Sequence, residues 1–214
     1  MSLKSHTISY QSTKPYYTLN NLTSETKNIW LVFHGMGFLS RYFFKPFMGL
    51  DATENYFISP QAPSKYYLDE KFKHVGASWL TREDLQLELS NVLTYVDGVF
   101  EAENLSDDKN LILFGFSQGV SIATRWLARR KICCDSLLLY AGGIPNELQQ
   151  EDFDFLDLNK TSVKIIYGDD DKYITDERVQ SEGQKIKKLF QEKAEIVRYN
   201  GGHEIHPDVL NSLF

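Results

Sequence analysis

Short apolar runs, several of them continuous, alternate along this chain with stretches of helical periodicity, and that alternation constrains the fold more than any other feature. The runs fall at residues 29–33, 56–59, 111–114, 136–140, 163–167 and 195–199. A strand that is apolar on both sides is covered on both faces, which is the habit of parallel sheets. Strands of this kind separated by helices predict an α/β fold: a mostly parallel central sheet with helices on both faces. Residues 16–19 are expected to add an edge strand in a hairpin. One helix is predicted over 82–100, where Leu85, Leu89, Val92, Val96 and Val99 recur at helical spacing and Thr81 with Asp84 resembles a capping box. A second is predicted over 117–130, with Val120, Ala123 and Leu127 on one face. Others are expected over 176–192 and 207–213, where Pro207 suits a first helical turn. Residues 64–80 show no clean period and are long for a connection, and such connections often carry function.

A chain of 214 residues fits one domain, 1–214, and buries a sizeable core without disulfides or metals. Its 23 basic and 29 acidic side chains leave a net charge of −6, which argues against nucleic acid as a partner because phosphate binding needs a concentrated basic surface. The longest basic cluster, Arg129-Arg130-Lys131, closes a predicted helix and complements its dipole there. Cys133 and Cys134 are adjacent, too few for a disulfide framework and wrongly spaced for zinc, so they read as small apolar residues entering a strand. No stretch approaches the roughly 20 apolar residues of a membrane span. No signal-peptide pattern opens the chain, so a cytoplasmic protein is expected, as a monomer or weak homodimer.

The strongest chemical signal is Gly115-Phe116-Ser117-Gln118-Gly119. A G-x-S-x-G pattern arises by chance in roughly one chain in fifteen of this length, so the pentapeptide alone is weak. Its setting is not. The apolar run 111–114 precedes it and an amphipathic helix follows. A strand, a sharp turn and a helix are what push a serine oxygen clear of the sheet, and the glycines remove side chains that would collide in the turn. Ser117 is therefore the candidate nucleophile, set at the positive end of the helix that follows it.

A serine hydroxyl needs a base to take its proton. Only His203 and His206 follow Ser117 in the chain. His203 lies in Asn200-Gly201-Gly202-His203, just beyond the last predicted strand, and is the candidate base; His206 precedes Pro207 and reads as a helix-start residue. The acid is expected after a strand between serine and histidine. Tyr167-Gly168-Asp169-Asp170-Asp171 meets that condition with three adjacent aspartates. Asp171 is preferred, with Asp169 and Asp170 left open. Its role would be to hold the imidazole tautomer and stabilise imidazolium. Two backbone donors are needed for the oxyanion: the N–H of Gln118, after the serine, and one from the loop after an early strand. Phe33-His34-Gly35-Met36-Gly37 fits the second place, with Met36 as donor and His34 holding the loop.

With these pieces together, the chain resembles the phospholipase/carboxylesterase family of small α/β-hydrolases, which includes acyl-protein thioesterases. His34-Gly35-Met36-Gly37 is similar to the family's H-G-L-G-D loop, Pro60-Gln61-Ala62-Pro63 to its P-x-A-P, and Ser78-Trp79 to an S-W that borders the pocket. The pentapeptide reads G-F-S-Q-G, Gly168 to Asp171 looks like G-x-x-D, and His203-Glu204-Ile205 matches H-E-I. The pieces run in the expected order over most of the chain. The resemblance implies an α/β-hydrolase fold, catalytic Ser117, Asp171 and His203, oxyanion donors Met36 and Gln118, small-molecule ester or thioester substrates, and no cofactor. Trp79, from the resemblance, and Phe38, from an aromatic cluster of this chain's own, are the expected substrate contacts. Four positions depart from the pattern: Phe38 replaces an aspartate, Val120 a small residue, Leu80-Thr81 an F-D pair, and Thr175 a frequent proline. These leave the backbone machinery intact but not the pocket, so the family's acyl preference does not carry over. The cluster Phe38, Tyr42, Phe43, Phe44 and Phe47 fits either an apolar acyl site or a helix packed on the core.

Two other readings are weighed against an esterase or thioesterase. One is a non-catalytic relative that binds a small ligand on the same scaffold, since fold alone does not guarantee chemistry. The other is a metal-dependent hydrolase using Asp169–Asp171, His203 and His206. His203-x-x-His206 lacks the i, i+4 spacing of helical zinc pairs, so no metal is expected.

Overall fold

A computed structural model describes residues 2–213. Seven strands build one sheet: β1 (Tyr16–Leu19), β2 (Asn28–Phe33), β3 (Asn55–Pro60), β6 (Asn110–Phe116), β7 (Ser136–Tyr140), β8 (Ser162–Gly168) and β9 (Glu195–Tyr199), in the order β1-β3-β2-β6-β7-β8-β9. Every pairing is parallel except that of β1, which runs antiparallel to β3 with Tyr16 opposite Pro60. β1 is thus an edge strand as expected, but not one arm of a hairpin: β2 follows it in sequence and lies two places away.

The period of two in a strand explains how one sheet feeds two cores. In β2, Ile29, Leu31 and Phe33 join one buried cluster, while Trp30 and Val32 join the other. The first cluster is closed by α2 (Leu85–Ala102), α3 (Gln118–Arg130) and α4 (Asp176–Leu189), through residues such as Val96, Trp126 and Ile186. The second is closed by the short α1 (Ser40–Phe43), a following 3-10 turn and α5 (Pro207–Asn211), through Phe43, Phe47 and Leu210. Helices therefore cover both faces.

The segment without a sequence period holds a separate two-stranded antiparallel ribbon, β4 (Ser64–Tyr67) and β5 (Val75–Ser78), pairing Ser64 with Ser78. All four residues of β4 are exposed, so no buried face left an alternation to detect. The expected capping box at α2 is absent: Asp84 takes a left-handed conformation and caps nothing, and the Thr81 hydroxyl accepts from the Glu83 N–H instead. At the end of α3, Arg130 meets Glu101 at 2.7 Å and Arg129 meets Asp97 at 3.5 Å, so the basic cluster also ties α3 to α2. Cys134 is buried, Cys133 is exposed, and both are free thiols. Among the described residues, no helix is long and apolar enough to cross a membrane.

The direction of strand addition reverses between β2 and β6, which are neighbours with Phe33 opposite Gly115. In open α/β sheets the crevice beyond the carboxyl ends of such a pair is where ligands bind.

Candidate active site

At that crevice β6 turns directly into α3. Ser117 occupies the turn with φ 53° and ψ −116°, a strained conformation for a residue with a side chain. Its N–H is anchored on the Tyr140 carbonyl of β7 at 2.8 Å. The helix can begin this close to β2 only because residue 119 is glycine: a Cβ there would lie 2.0 Å from the Phe33 carbonyl oxygen.

His203 reaches this serine from the loop after β9. Its Nε2 lies 2.9 Å from Ser117 Oγ, and its Nδ1 lies 2.6 Å from Asp171 Oδ2. A carboxylate only accepts, so Nδ1–H donates to Asp171 and Nε2 is left to accept from the serine hydroxyl. Asp171 has a side chain with 0% exposure, and its second oxygen accepts the Tyr173 N–H at 2.9 Å. The imidazole is further fixed between the Phe116 ring, at 5.1 Å, and the edge-on Tyr173 ring, at 4.7 Å.

Of the three adjacent aspartates, only Asp171 meets His203. Asp169 pairs with Arg198 on the surface at 2.6 Å, and Asp170 is exposed. His206 sits at the start of α5, where its N–H donates to the Tyr140 hydroxyl at 3.0 Å. The described residues contain no group of three or more His, Cys, Asp or Glu side chains arranged to hold a metal ion.

The loop after β2 is held by two buried aromatic side chains. The Ala62 N–H donates to His34 Nε2 at 3.1 Å, so the ring proton is on Nδ1, which donates to the Gly35 carbonyl at 2.7 Å. Burial pushes the His34 imidazole down to about 4, only partly offset by that hydrogen bond, so it is a neutral brace. Trp79 Nε1 donates to the His34 carbonyl at 2.8 Å. Trp79 is fully buried, does not line the cleft, and supports the loop through this bond. Among the described residues, neither the Met36 N–H nor the Gln118 N–H has a hydrogen-bond partner, and both residues line the cleft.

The cleft itself encloses about 410 Å³. Phe38 forms one wall, 45% exposed and packed edge-on against Phe116. The remaining aromatics near it divide: Phe43, Phe44 and Phe47 are core, and Tyr42 is exposed. Tyr173 and Arg178 make up another part of the wall together with Gly142 and Gly143, and none of these was singled out from the sequence. The Ala141-Gly142-Gly143 run at the end of β7 was the available signal for that wall.

The family model for phospholipase/carboxylesterase matches residues 19–214. No curated protein matches the chain significantly. Among solved structures, acyl-protein thioesterase 2 of Zea mays superposes with a TM-score of 0.70 at 15% identity, covering 94% of this chain and 96% of that one. A phospholipase/carboxylesterase of Dyadobacter fermentans gives 0.64 at 20% identity, over 95% and 96%. The carboxylesterase of Bacillus cereus gives 0.62 at 14% identity, over 95% and 96%. At these identities the structural likeness speaks for the fold, and the family match speaks for descent. The chain belongs to the phospholipase/carboxylesterase family of α/β-hydrolases.

Proposed function

We propose that the protein is a serine hydrolase that cleaves carboxylic ester or thioester bonds through an acyl-enzyme intermediate. The observation that carries this reading is the continuous chain from Asp171 through His203 to Ser117, with contacts of 2.6 and 2.9 Å. Ser117 Oγ attacks the carbonyl carbon while its proton passes to His203 Nε2. The carbonyl oxygen becomes an oxyanion, stabilised by the N–H groups of Met36 and Gln118. The tetrahedral adduct collapses, the bond to the alcohol or thiol breaks, and His203 returns the proton to that leaving group. Water then attacks the acyl-serine and gives its proton to His203; the adduct collapses, the bond to Ser117 Oγ breaks as His203 returns that proton to it, and the acid is released. Asp171 stays ionised throughout and stabilises the imidazolium. No step calls for a cofactor.

Labelling with a fluorophosphonate, which phosphonylates activated serines, tests this directly. Wild type is expected to be labelled at Ser117, and p-nitrophenyl ester hydrolysis is expected to vanish in Ser117→Ala. Folded wild-type protein that takes no label and turns over no ester would refute the proposal.

A further inference from the structure

Arg178 is the cation of the cleft. It stands in the first turn of α4 and lines the same cavity as Ser117 and His203. Its Nη1 donates to the Tyr173 carbonyl at 2.8 Å, which places the guanidinium on the wall whose tyrosine ring packs against His203. Gly143 lies directly against it, and the absence of a side chain there leaves the guanidinium its place.

Its guanidinium has no ion-pair partner in direct contact, although a carboxylate is close: a Cβ on residue 143 would meet Arg178 Nη2 at 2.7 Å and Glu182 Oε1 at 3.3 Å. Glu182, four residues on and so on the same face of α4, is the natural one. That carboxylate is instead occupied by Lys185 Nζ at 2.9 Å and by the Ile144 N–H at 3.2 Å. Among the described residues, no carboxylate forms an ion pair with Arg178. Arg178 also lines a second cavity of about 100 Å³, whose walls include Ile165, Ile174, Val179 and Ile186 as well as Glu182, so the guanidinium rests partly on apolar ground. A cation beside apolar surface attracts an anion more strongly than one in open water, and the nearby Glu182 carboxylate is already shared with Lys185. The net charge of −6 supplies no general attraction for anions, so any such preference must be local.

We infer that Arg178 is a specificity determinant that selects esters or thioesters bearing a second, anionic group, a carboxylate being the best fit. This rests on the hydrolase reading above and deepens it. The planar guanidinium presents paired N–H donors matched to the two oxygens of a carboxylate, which a lysine does not reproduce.

The test compares matched neutral and anionic esters on one protein preparation. p-Nitrophenyl hexanoate against the p-nitrophenyl half-ester of adipic acid places the carboxylate on the acyl part. The butyrate esters of methyl 4-hydroxybenzoate and of 4-hydroxybenzoate place it on the leaving group. In wild type, kcat/KM is expected to favour the anionic member of at least one pair, which also identifies the side that Arg178 reads. In Arg178→Gln that preference ratio is expected to fall about tenfold, the scale of one charge-assisted hydrogen bond, with Arg178→Lys in between. The ratio is taken within each variant, so partial loss of folded protein cancels. Absence of any anionic preference in wild type, or equal ratios in wild type and Arg178→Gln, overturns the inference. Failure of wild type to hydrolyse any of the four esters counts instead against the hydrolase reading.

Discussion

Gln118 Oε1 accepts the Trp79 backbone N–H at 2.8 Å, joining the first residue of α3 to the segment that leaves β5. The other end of the same amide donates to the Leu80 carbonyl at 2.7 Å and to Ser78 Oγ at 3.1 Å. Trp79 in turn holds the His34 carbonyl. One side chain thus links the turn that carries Ser117 to the loop that carries the Met36 N–H. The two N–H groups proposed to face the oxyanion are held in register through Gln118 and Trp79.

Gln118→Ala keeps its own backbone N–H but loses that linkage. Its kcat is expected to fall between about ten- and a hundredfold, since displacements on the order of 1 Å are costly at a reacting centre. KM is expected to change little, because the effect is on the transition state and not on substrate binding. The urea midpoint should shift by the equivalent of about 1 kcal/mol, the site being only partly buried. Steady-state kinetics with unchanged kcat would remove the linkage from the mechanism.

The three aspartates make a sharper comparison. Asp171→Asn is expected to lower kcat by about ten-thousandfold, the size of the same change in a serine protease triad, because an amide no longer enforces the Nδ1–H tautomer. Asp169→Asn breaks only an exposed pair with Arg198, and Asp170→Asn changes a solvated turn. Both are expected to retain kcat within about twofold and stability within about 0.5 kcal/mol. Ester hydrolysis by the three variants side by side would expose a wrong assignment at once.

These three residues also mark where the sequence stops being informative. The strand-turn-helix around Ser117 was legible because apolar runs, glycines and helical spacing each constrain it separately. Three consecutive aspartates share one composition, and only the bend after β8, with the Asp171 N–H on the Gly168 carbonyl, decides which points inward. Trp79 meets the same limit: a tryptophan beside a pocket and one beneath it have the same neighbours in sequence. β4 was invisible because all of its residues are exposed. Arg178 was one charge among many on a polar helix, and its lack of a direct ion pair is a property of where Glu182 and Lys185 meet.

Strain at the turn predicts a trade between stability and activity. Ser117 sits at φ 53° and ψ −116°, where a side chain is unfavourable and glycine is not. Ser117→Gly and Ser117→Ala both remove the hydroxyl, so their difference isolates the backbone. The glycine variant is expected to be more stable than the alanine variant by about 1 kcal/mol, net of the extra freedom glycine has in the unfolded chain. For a chain of this size that corresponds to a Tm higher by about 2–4 °C. Equal melting temperatures for the two inactive variants would show that the turn stores no strain.

Acid should weaken the fold through His34. Its imidazole is neutral in the folded protein down to about pH 4, whereas in the unfolded chain it protonates near its ordinary value of 6.5. Between these values the unfolded state binds a proton that the folded state refuses, so stability falls as pH drops through the window from about 6.5 to about 4. Above 6.5 the group contributes no pH dependence, and below about 4 the loss is complete. The shift corresponds to about 3 kcal/mol. Every other group is common to wild type and variant, so the quantity to measure is a difference. Urea unfolding free energies of wild type and His34→Gln, taken from pH 7 to pH 4, should diverge in slope by close to one proton, with the variant less stable at pH 7 and less sensitive to acid. Direct titration of the His34 ring by NMR should find it neutral at pH 5. A ring that protonates near pH 6.5 would mean that the loop carrying Met36 is not sealed by Trp79 and Ala62 as the buried hydrogen bonds require.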